Sequence, residues 1–222
     1  FVPDARFAEI KTIPGVISYS EVIEEDVLLK YADKQFIGRL KGVSDSYAQT
    51  TGINKNIVSG QYFMRDSNVE YCITGQGLAY YLTIGLQVVE PIQVYVPSRK
   101  AKAMSAPDKS YKHASMYPVG IFQTQQDIDS RYVICSLPFA RNLLEYTNEV
   151  GAVELKVDTT QIDDIKESIK SKLGDTFYVK NKEIDKVLNG FGIAILSTPQ
   201  GLLTDADARR LKLGGELVCE VY

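Results

Sequence analysis

The run from Thr74 to Gly85, Thr-Gly-Gln-Gly-Leu-Ala-Tyr-Tyr-Leu-Thr-Ile-Gly, constrains the fold more than any other feature of this chain. An extended apolar stretch, Val69–Ile73, precedes the run, and a strand-like stretch, Ile92–Val96, follows it between two prolines. Glycine tolerates the backbone angles that a sharp turn requires. The pattern therefore predicts, in order, a strand, a glycine turn, a short helix, a stop at Gly85 and a second strand.

A Gly-x-Gly turn at the start of a helix also has a functional interpretation, because the free N–H groups of a helix start can bind phosphate. The dinucleotide-binding fingerprint needs a third glycine at position 80, where this chain has Tyr80, and no glycine is followed by lysine as in a P-loop. We therefore expect these glycines to supply positive φ angles and close strand-to-helix packing.

Composition limits the possible partners. A chain of 222 residues that is 45% apolar can bury a substantial core in one or two domains. Its net charge of −3 argues against nucleic acid or an anionic membrane surface as the main partner.

The longest apolar run, Phe191–Leu196, is far shorter than the roughly 18–20 residues that span a bilayer. No signal-peptide pattern follows Phe1, and we expect the chain to be part of a longer protein.

The three cysteines, Cys72, Cys135 and Cys219, form neither a C-x-x-C motif nor a metal-binding spacing. Cys72 and Cys135 each lie in a strand-like apolar run, where a thiol packs as a small apolar group. We expect both to be buried free thiols. A Cys72–Cys135 bridge in an oxidising compartment stays open as the alternative.

The rest of the chain alternates predicted helices and strands. The predicted helices span residues 4–13, 137–146 and the segment from the Asp158 cap to Leu173. Further strands are predicted at 16–23, 27–31, 35–43, 152–157 and 177–179, and on both sides of a polar turn at 123–130. The predicted connections are a turn at Glu24-Glu25-Asp26, a hairpin turn around Ala32–Lys34 and a loop at 44–56.

The C-terminal part repeats this alternation. Residues 191–196 and 216–222 have the pattern of strands. Between them, Thr204 can cap a short helix at 204–211, and Arg209 and Arg210 suit the negative end of its dipole.

Three blocks of the sequence resemble the extracytoplasmic domain of MacB/LolC/LolE-type (FtsX-like) ABC transporter permeases. The first is the Thr74–Gly85 run, paired with Tyr117–Phe122, which ends in Val-Gly-Ile-Phe. The second is Asp129–Ala140, with the pattern Asp-x-Arg-Tyr-Val-Ile-x-Ser-Leu-x-x-Ala, and the third is Ser59–Phe63. The resemblance stops beyond Lys182.

The resemblance implies an α+β fold with a two-lobed MacB-like periplasmic core. Residues 1–44 and 148–182 would form a split βαβ-type (porter-like) lobe, and residues 45–147 an inserted mixed α/β lobe. Residues 183–222 would form a C-terminal segment outside the resemblance.

The implied function is mechanical. Such a domain lies on the periplasmic side of the inner membrane and couples cytoplasmic ATP hydrolysis to the export or release of lipoprotein, peptide or amphiphile cargo. The implied partners are a nucleotide-binding ATPase subunit, a second permease copy and a periplasmic chaperone or adaptor, with no cofactor. A regulatory permease domain that activates a cell-wall hydrolase is the alternative of the same class.

A basic segment supplies the candidate partner site. Residues 97–113 hold five of the 25 basic residues and one acid, and they lack apolar periodicity. This pattern predicts a long exposed loop or an extended hairpin tip, the kind of element in which recognition concentrates. In LolC-like relatives a hairpin near this place captures a chaperone. The candidate partner-binding residues are Arg99, Lys100, Lys102, Met104, Pro107 and Tyr111.

Catalytic chemistry has little support in the sequence. The single histidine, His113, excludes a site with two imidazole ligands from one chain, and a dyad with Cys135 lacks a nucleophile elbow. The acidic clusters at 24–26 and 163–164 are expected to be solvated. We therefore predict no enzyme; a hydrolase using Asp127, Asp129 or the 24–26 cluster is the weaker alternative.

Overall fold

The computed structural model describes residues 1–3, 5–66, 69–99, 111–173, 193–198, 201–204, 207–208, 210 and 216–221. The chain divides into two compact units. Unit 1 comprises residues 1–21, 46–51 and 152–222, and unit 2 comprises residues 22–45 and 52–151. Unlike the predicted lobes, unit 2 includes residues 22–44, and unit 1 includes residues 46–51 and the C-terminal segment 183–222. The division into lobes stays a prediction. The predicted strand at 177–179 and the Gly174 helix stop lie outside the described residues.

The N-terminal elements include one long strand where two were expected. The first elements are α1 (Ala5–Ile10), β1 (Val16–Tyr31) and β2 (Lys34–Val43). The predicted turn at Glu24-Glu25-Asp26 is wrong, because β1 continues through these acids. Glu24 lies directly opposite Lys41 in the β1–β2 register, so the negative charge of Glu24 is paired within the sheet. The predicted hairpin turn is confirmed: Tyr31 pairs with Lys34, and Ala32 adopts a positive φ of 51°.

The middle of the chain is built from short elements. The predicted loop at 44–56 is wrong, since it contains a helix and a 3₁₀ turn at 53–56. The elements here are α2 (Tyr47–Thr51), β3 (Ile57–Gly60), β4 (Arg65–Asp66), β5 (Val69–Gly75), α3 (Gln76–Leu82) and β6 (Ile92–Pro97). They are followed by β7 (Tyr111–Phe122), α4 (Gln126–Asp129), β8 (Tyr132–Ser136) and α5 (Leu137–Leu144). The strand–helix–strand order predicted around Thr74–Gly85 is therefore confirmed.

The strands of unit 2 close into a ring. The pairing path runs β1-β2-β8-β5-β7, and β6 pairs antiparallel with both β7 and β1, which completes the circuit. A ring of this size has an interior filled by side chains. The interior of unit 2 is apolar, with Leu29, Leu40, Cys72, Met116 and Cys135 each fully buried. The β3 strand extends the sheet beyond β7, and β4 pairs with β5.

Unit 1 is a mixed sheet with helices. Its further elements are β9 (Ala152–Val157), a 3₁₀ turn at 159–161, α6 (Ile162–Leu173), β10 (Ile193–Thr198), β11 (Gly201–Thr204) and β12 (Glu216–Val221). The sheet order is β11-β10-β12-β9-β1, and β12 lies parallel to β9. Ile165 and Ile169 of α6 are buried, which confirms the predicted apolar helix face. The predicted cap is also confirmed, because the Thr204 hydroxyl accepts the Asp207 N–H at 3.1 Å.

No helix within the described ranges is both long and apolar enough to cross a membrane.

Candidate partner-binding surface

The basic segment connects the two strands of an extended hairpin in unit 2. The register of β6 and β7 runs from Ile92 opposite Met116 to Pro97 opposite Tyr111, so residues 98–110 join the strands. Four of the six candidate residues lie outside the described residues: Lys100, Lys102, Met104 and Pro107. Arg99 and Tyr111 are described, and the Tyr111 side chain is exposed.

Arg99 holds the first strand of the hairpin to the rest of unit 2. Its guanidinium donates to the Glu25 carboxylate at 3.0 Å and to the Tyr146 hydroxyl, and it lies over the Tyr146 ring, 4.0 Å from the centroid. Its main-chain N–H donates to Glu145 Oε2 at 2.9 Å. Half of the Arg99 side chain remains exposed, so a role in partner binding stays a prediction.

The second strand of the hairpin is held at the same place. Lys112 Nζ lies 3.4 Å from Glu145 Oε1, and the Ser98 hydroxyl donates to the other oxygen of that carboxylate at 3.2 Å. The Glu145 side chain is buried, at 7% exposure, and the residue ends α5 with a left-handed backbone (φ 59°). One carboxylate therefore ties both strands of the hairpin to the end of α5.

Tyr146 and Glu25 complete this hairpin clamp, which we define as Glu25, Arg99, Lys112, Glu145 and Tyr146. The Tyr146 hydroxyl donates to Glu25 Oε1 at 2.8 Å. Partial burial, and then this carboxylate, raise the pKa of Tyr146 above its ordinary value, against the opposing charge of Arg99. The hydroxyl therefore stays protonated and remains a donor at neutral pH.

Sequence reasoning missed the acidic half of the clamp. The sequence predicts a turn at Glu25 and a helix through Glu145, and neither prediction brings the residue to the hairpin. The five residues come from four separate elements or their ends, so only the strand pairing brings them together. The signal in the sequence is the charge imbalance of residues 97–113, which favours contact with acidic groups.

A second surface of unit 2 is an open cleft of 850 Å³ beside α3. Its walls include Ala79, Tyr80, Tyr81 and Ile84, and Lys34 lies at the same opening. Tyr80 is 87% exposed, although it belongs to a helix whose opposite face is buried. The Lys34 ammonium donates to the Tyr81 carbonyl at 3.1 Å. Aromatic walls beside one cation suit an apolar group that carries a negative charge or a carbonyl.

The two glycines at the start of α3 pack closely against a neighbouring segment. A Cβ on Gly75 would lie 2.3 Å from the Asp129 carbonyl oxygen, and one on Gly77 would lie 3.0 Å from Ser130 Cα. The main chain of 129–130 therefore occupies the space beside the helix start. The expected close packing is confirmed, whereas the expected positive φ is wrong at Gly75, which is extended. The helix ends on Thr83 in the left-handed region, φ 55°, and not on Gly85.

The groups considered for catalysis have other roles in the structure. Asp129 is buried, and its carboxylate accepts the Thr124 N–H and hydroxyl at 2.8 and 2.9 Å. His113 stacks on Tyr95, with ring centroids 5.4 Å apart. Glu24 is not solvated as expected, because it pairs with Lys41 at 2.9 Å and with Arg39 at 3.0 Å. Within the described part of the chain, no three His, Cys, Asp or Glu side chains cluster as a metal site.

Comparison with protein families gives a match that the sequence patterns did not predict. The sequence profile of ribosomal protein S8 matches residues 138–222. Small ribosomal subunit protein uS8 of Sorangium cellulosum (strain So ce56) is 56% identical over 52 residues, which span 23% of this chain and 40% of that protein. The uS8 protein of Syntrophus aciditrophicus (strain SB) is 38% identical over 95 residues, 36% of this chain and 71% of that protein. The match overlaps residues 138–182, which the predicted resemblance had assigned to the periplasmic core.

Comparison with solved structures relates the fold to transporter domains. The extracellular domain of the noncanonic ABC-type transporter YknZ from Gram-positive bacteria superposes with a TM-score of 0.54 at 11% identity, covering 75% of this chain and 78% of that chain. The periplasmic region of MacB from Actinobacillus actinomycetemcomitans superposes with a TM-score of 0.51 at 11% identity, covering 75% and 72%. The predicted MacB-like resemblance is therefore confirmed for the fold.

Proposed function

We propose a function from two premises. The chain belongs to the ribosomal protein S8 family through residues 138–222, and most of its length has the fold of ABC permease extracytoplasmic domains. The two premises point to different cellular locations, the outer side of a membrane and the small ribosomal subunit. The fold likeness covers 75% of the chain, whereas the S8 profile covers only the C-terminal part. We therefore give the fold likeness the greater weight.

In this proposal the chain is the extracytoplasmic domain of an ABC-type permease. It couples ATP hydrolysis in a separate subunit to the export or release of lipoprotein, peptide or amphiphile cargo. The fold likeness carries the proposal, and the hairpin clamp supports its finer part. Because Arg99, Lys112 and Glu145 hold the hairpin base in place, the basic segment is presented from a fixed base. Its excess of basic residues suits an acidic surface on a periplasmic chaperone or adaptor.

Replacing residues 100–109 with a glycine–serine segment of equal length, in the full-length parent protein with its ATPase, tests this proposal. We expect capture of the chaperone or adaptor to fall at least about tenfold, the loss of roughly 1.4 kcal/mol or more. ATPase activity should be unchanged, since the hairpin belongs to unit 2 and holds no nucleotide motif. The control is Lys55→Ser, which removes an exposed basic residue of unit 2 outside the hairpin. Equal capture by all three proteins would contradict the hairpin's role, and capture of a cell-wall hydrolase would favour the regulatory alternative.

Association with the small ribosomal subunit is the second candidate function, favoured by the 56% identity to a uS8 protein. Charge argues against it as the main role. Residues 138–222 contain 14 acidic and 11 basic residues, whereas binding to a phosphate backbone draws on an excess of Lys and Arg.

Fractionation of cells that express the tagged parent protein separates the two candidates. We expect the protein in the membrane fraction. Sedimentation with the small ribosomal subunit at about 0.2 M salt, and its loss when residues 174–222 are deleted, would establish the second candidate instead.

A further inference from the structure

The geometry points to Cys72 and Cys135 as a redox-active pair that can form a cross-strand disulfide inside unit 2. Cys72 lies on β5 and Cys135 on β8, and the two residues are directly opposite each other in the antiparallel register. Both are free thiols with 0% exposure. The sequence leaves a Cys72–Cys135 bridge open as an alternative, and the order of strands in the ring makes the two residues neighbours although 62 residues separate them.

The register alone places the two Cα atoms within reach of a disulfide. Directly opposite residues of an antiparallel pair have Cα atoms about 4.5 or 5.5 Å apart, depending on the hydrogen-bonding position. Both values fall within the range of about 4.4–6.8 Å that disulfides span. Opposite residues also point to the same face of the sheet, so both Sγ atoms face the interior of the ring.

The bridge would carry some strain. The Cβ atoms of opposite residues are about 4.5–5.5 Å apart, whereas a disulfide prefers about 3.8 Å. Bond formation therefore draws β5 and β8 together by roughly 1 Å. A strained disulfide is reduced more easily than a relaxed one, so we expect the Cys72–Cys135 pair to open and close reversibly.

The chemistry requires a disulfide oxidant, for which oxidised glutathione serves as the probe. One cysteine thiolate attacks glutathione disulfide, forming a mixed disulfide and releasing one reduced glutathione. The second thiolate attacks the protein sulfur of the mixed disulfide and releases the second glutathione. The two thiols lose two protons and two electrons in total, and both are taken up by the two glutathione molecules.

Burial controls when this exchange takes place. Burial raises the pKa of Cys72, and burial together with the neighbouring Cys72 and Glu70 raises the pKa of Cys135. Thiolate is therefore scarce in the folded protein, and exchange is faster during folding than afterwards.

The test uses the purified chain, refolded from denaturant in an oxidising glutathione buffer and alkylated after denaturation. We expect two fewer alkyl groups than in the reduced and alkylated chain, a peptide linked through Cys72 and Cys135, and a thermal midpoint of unit 2 raised by roughly 5 °C. Cys72→Ala and Cys135→Ala should each abolish the linked peptide, whereas Cys219→Ala should leave it unchanged. Millimolar reduced glutathione should reopen the bridge after refolding.

Two results would overturn the inference. One is full alkylation of Cys72 and Cys135 in the refolded wild-type chain. The other is a linked peptide that contains Cys219. A bridge that forms but resists reduced glutathione at equilibrium would overturn its reversibility. Because the assay uses purified protein, its outcome does not depend on the proposed transport function.

Discussion

Glu24 shows how charge pairing determines local structure. Its carboxylate contacts Lys41 at 2.9 Å and Arg39 at 3.0 Å, and it accepts the Tyr132 hydroxyl at 3.2 Å. Burial alone would raise the pKa of Glu24, but these three groups outweigh it and hold the pKa below its ordinary value. Burial and Glu24 in turn raise the pKa of Tyr132 to about 12. The charged carboxylate is therefore the form that the fold stabilises.

Replacing this carboxylate tests that conclusion. Glu24→Gln keeps the size of the side chain but leaves the buried Lys41 ammonium without the Glu24 charge, so we expect a loss on the order of 3 kcal/mol in unfolding free energy at pH 7. A lowered pKa contributes stability above the unfolded value, near 4.3, and loses it as the pH falls through the folded value. The difference between wild type and Glu24→Gln in urea unfolding should therefore shrink between pH 5 and pH 3.

A second variant provides the control for Glu24→Gln. Adding Lys41→Met to it replaces a buried pair with neutral groups and should recover much of the lost stability. A difference from wild type that stays constant from pH 7 to pH 3 would show that the Glu24 charge contributes nothing.

At the scale of elements, the junction between β5 and α3 shows how a strand and a helix are fitted together. Gly75 ends β5, and the main chain at Asp129 fills the position that its Cβ would take. The backbone of α4 cannot move aside as a flexible side chain can. The glycine is therefore required by the close approach of a second segment and not by its own φ angle, which is −62°.

A pair of glycine variants tests this reading of the junction. Gly75→Ala places a methyl group 2.3 Å from the Asp129 carbonyl oxygen, and we expect it to cost about 1–3 kcal/mol in urea unfolding. Gly85→Ala is the matched control, since its Cβ would meet only Val88 Cγ2 at 3.6 Å and its φ is not positive. It should change stability by less than about 0.5 kcal/mol. Equal effects of the two variants would mean that the run needs its glycines for another reason.

The sequence predicted elements well where local pattern decides them. The α3 helix, the β1–β2 hairpin turn and the Thr204 cap each depend on neighbouring residues, and all three are found in the structure. The sequence pattern gave a wrong prediction at Glu24–Asp26, where three consecutive acidic residues are typical of a turn. Their place in a strand depends on Lys41 and Arg39, which pairing brings close. The hairpin clamp could not be predicted for the same reason, because strand pairing brings its residues together, and the sequence could only leave the pairing of Cys72 with Cys135 open.

At the scale of the whole chain, the S8 match lies mostly in unit 1. The matched residues 138–222 include β9, α6 and the strands β10–β12. Local pattern predicted strands and a capped helix beyond residue 190. Unrelated families share such patterns, so the patterns do not show which family a segment belongs to. The overlap explains why the predicted periplasmic core, drawn to residue 182, extended into a segment with different relatives.

Each unit has its own apolar core, and this should be visible in unfolding. Ile169 in unit 1 and Leu40 in unit 2 are both 0% exposed. Truncating either to alanine should cost about 2–5 kcal/mol in the unit that contains it. We expect calorimetry of the wild-type chain to show two transitions, because cooperative units with separate cores unfold separately. Ile169→Ala should lower the midpoint of one transition, and Leu40→Ala should lower that of the other. Val89→Ala, at a side chain that is 88% exposed, should move neither. A single transition lowered equally by both core variants would show that the chain unfolds as one cooperative body.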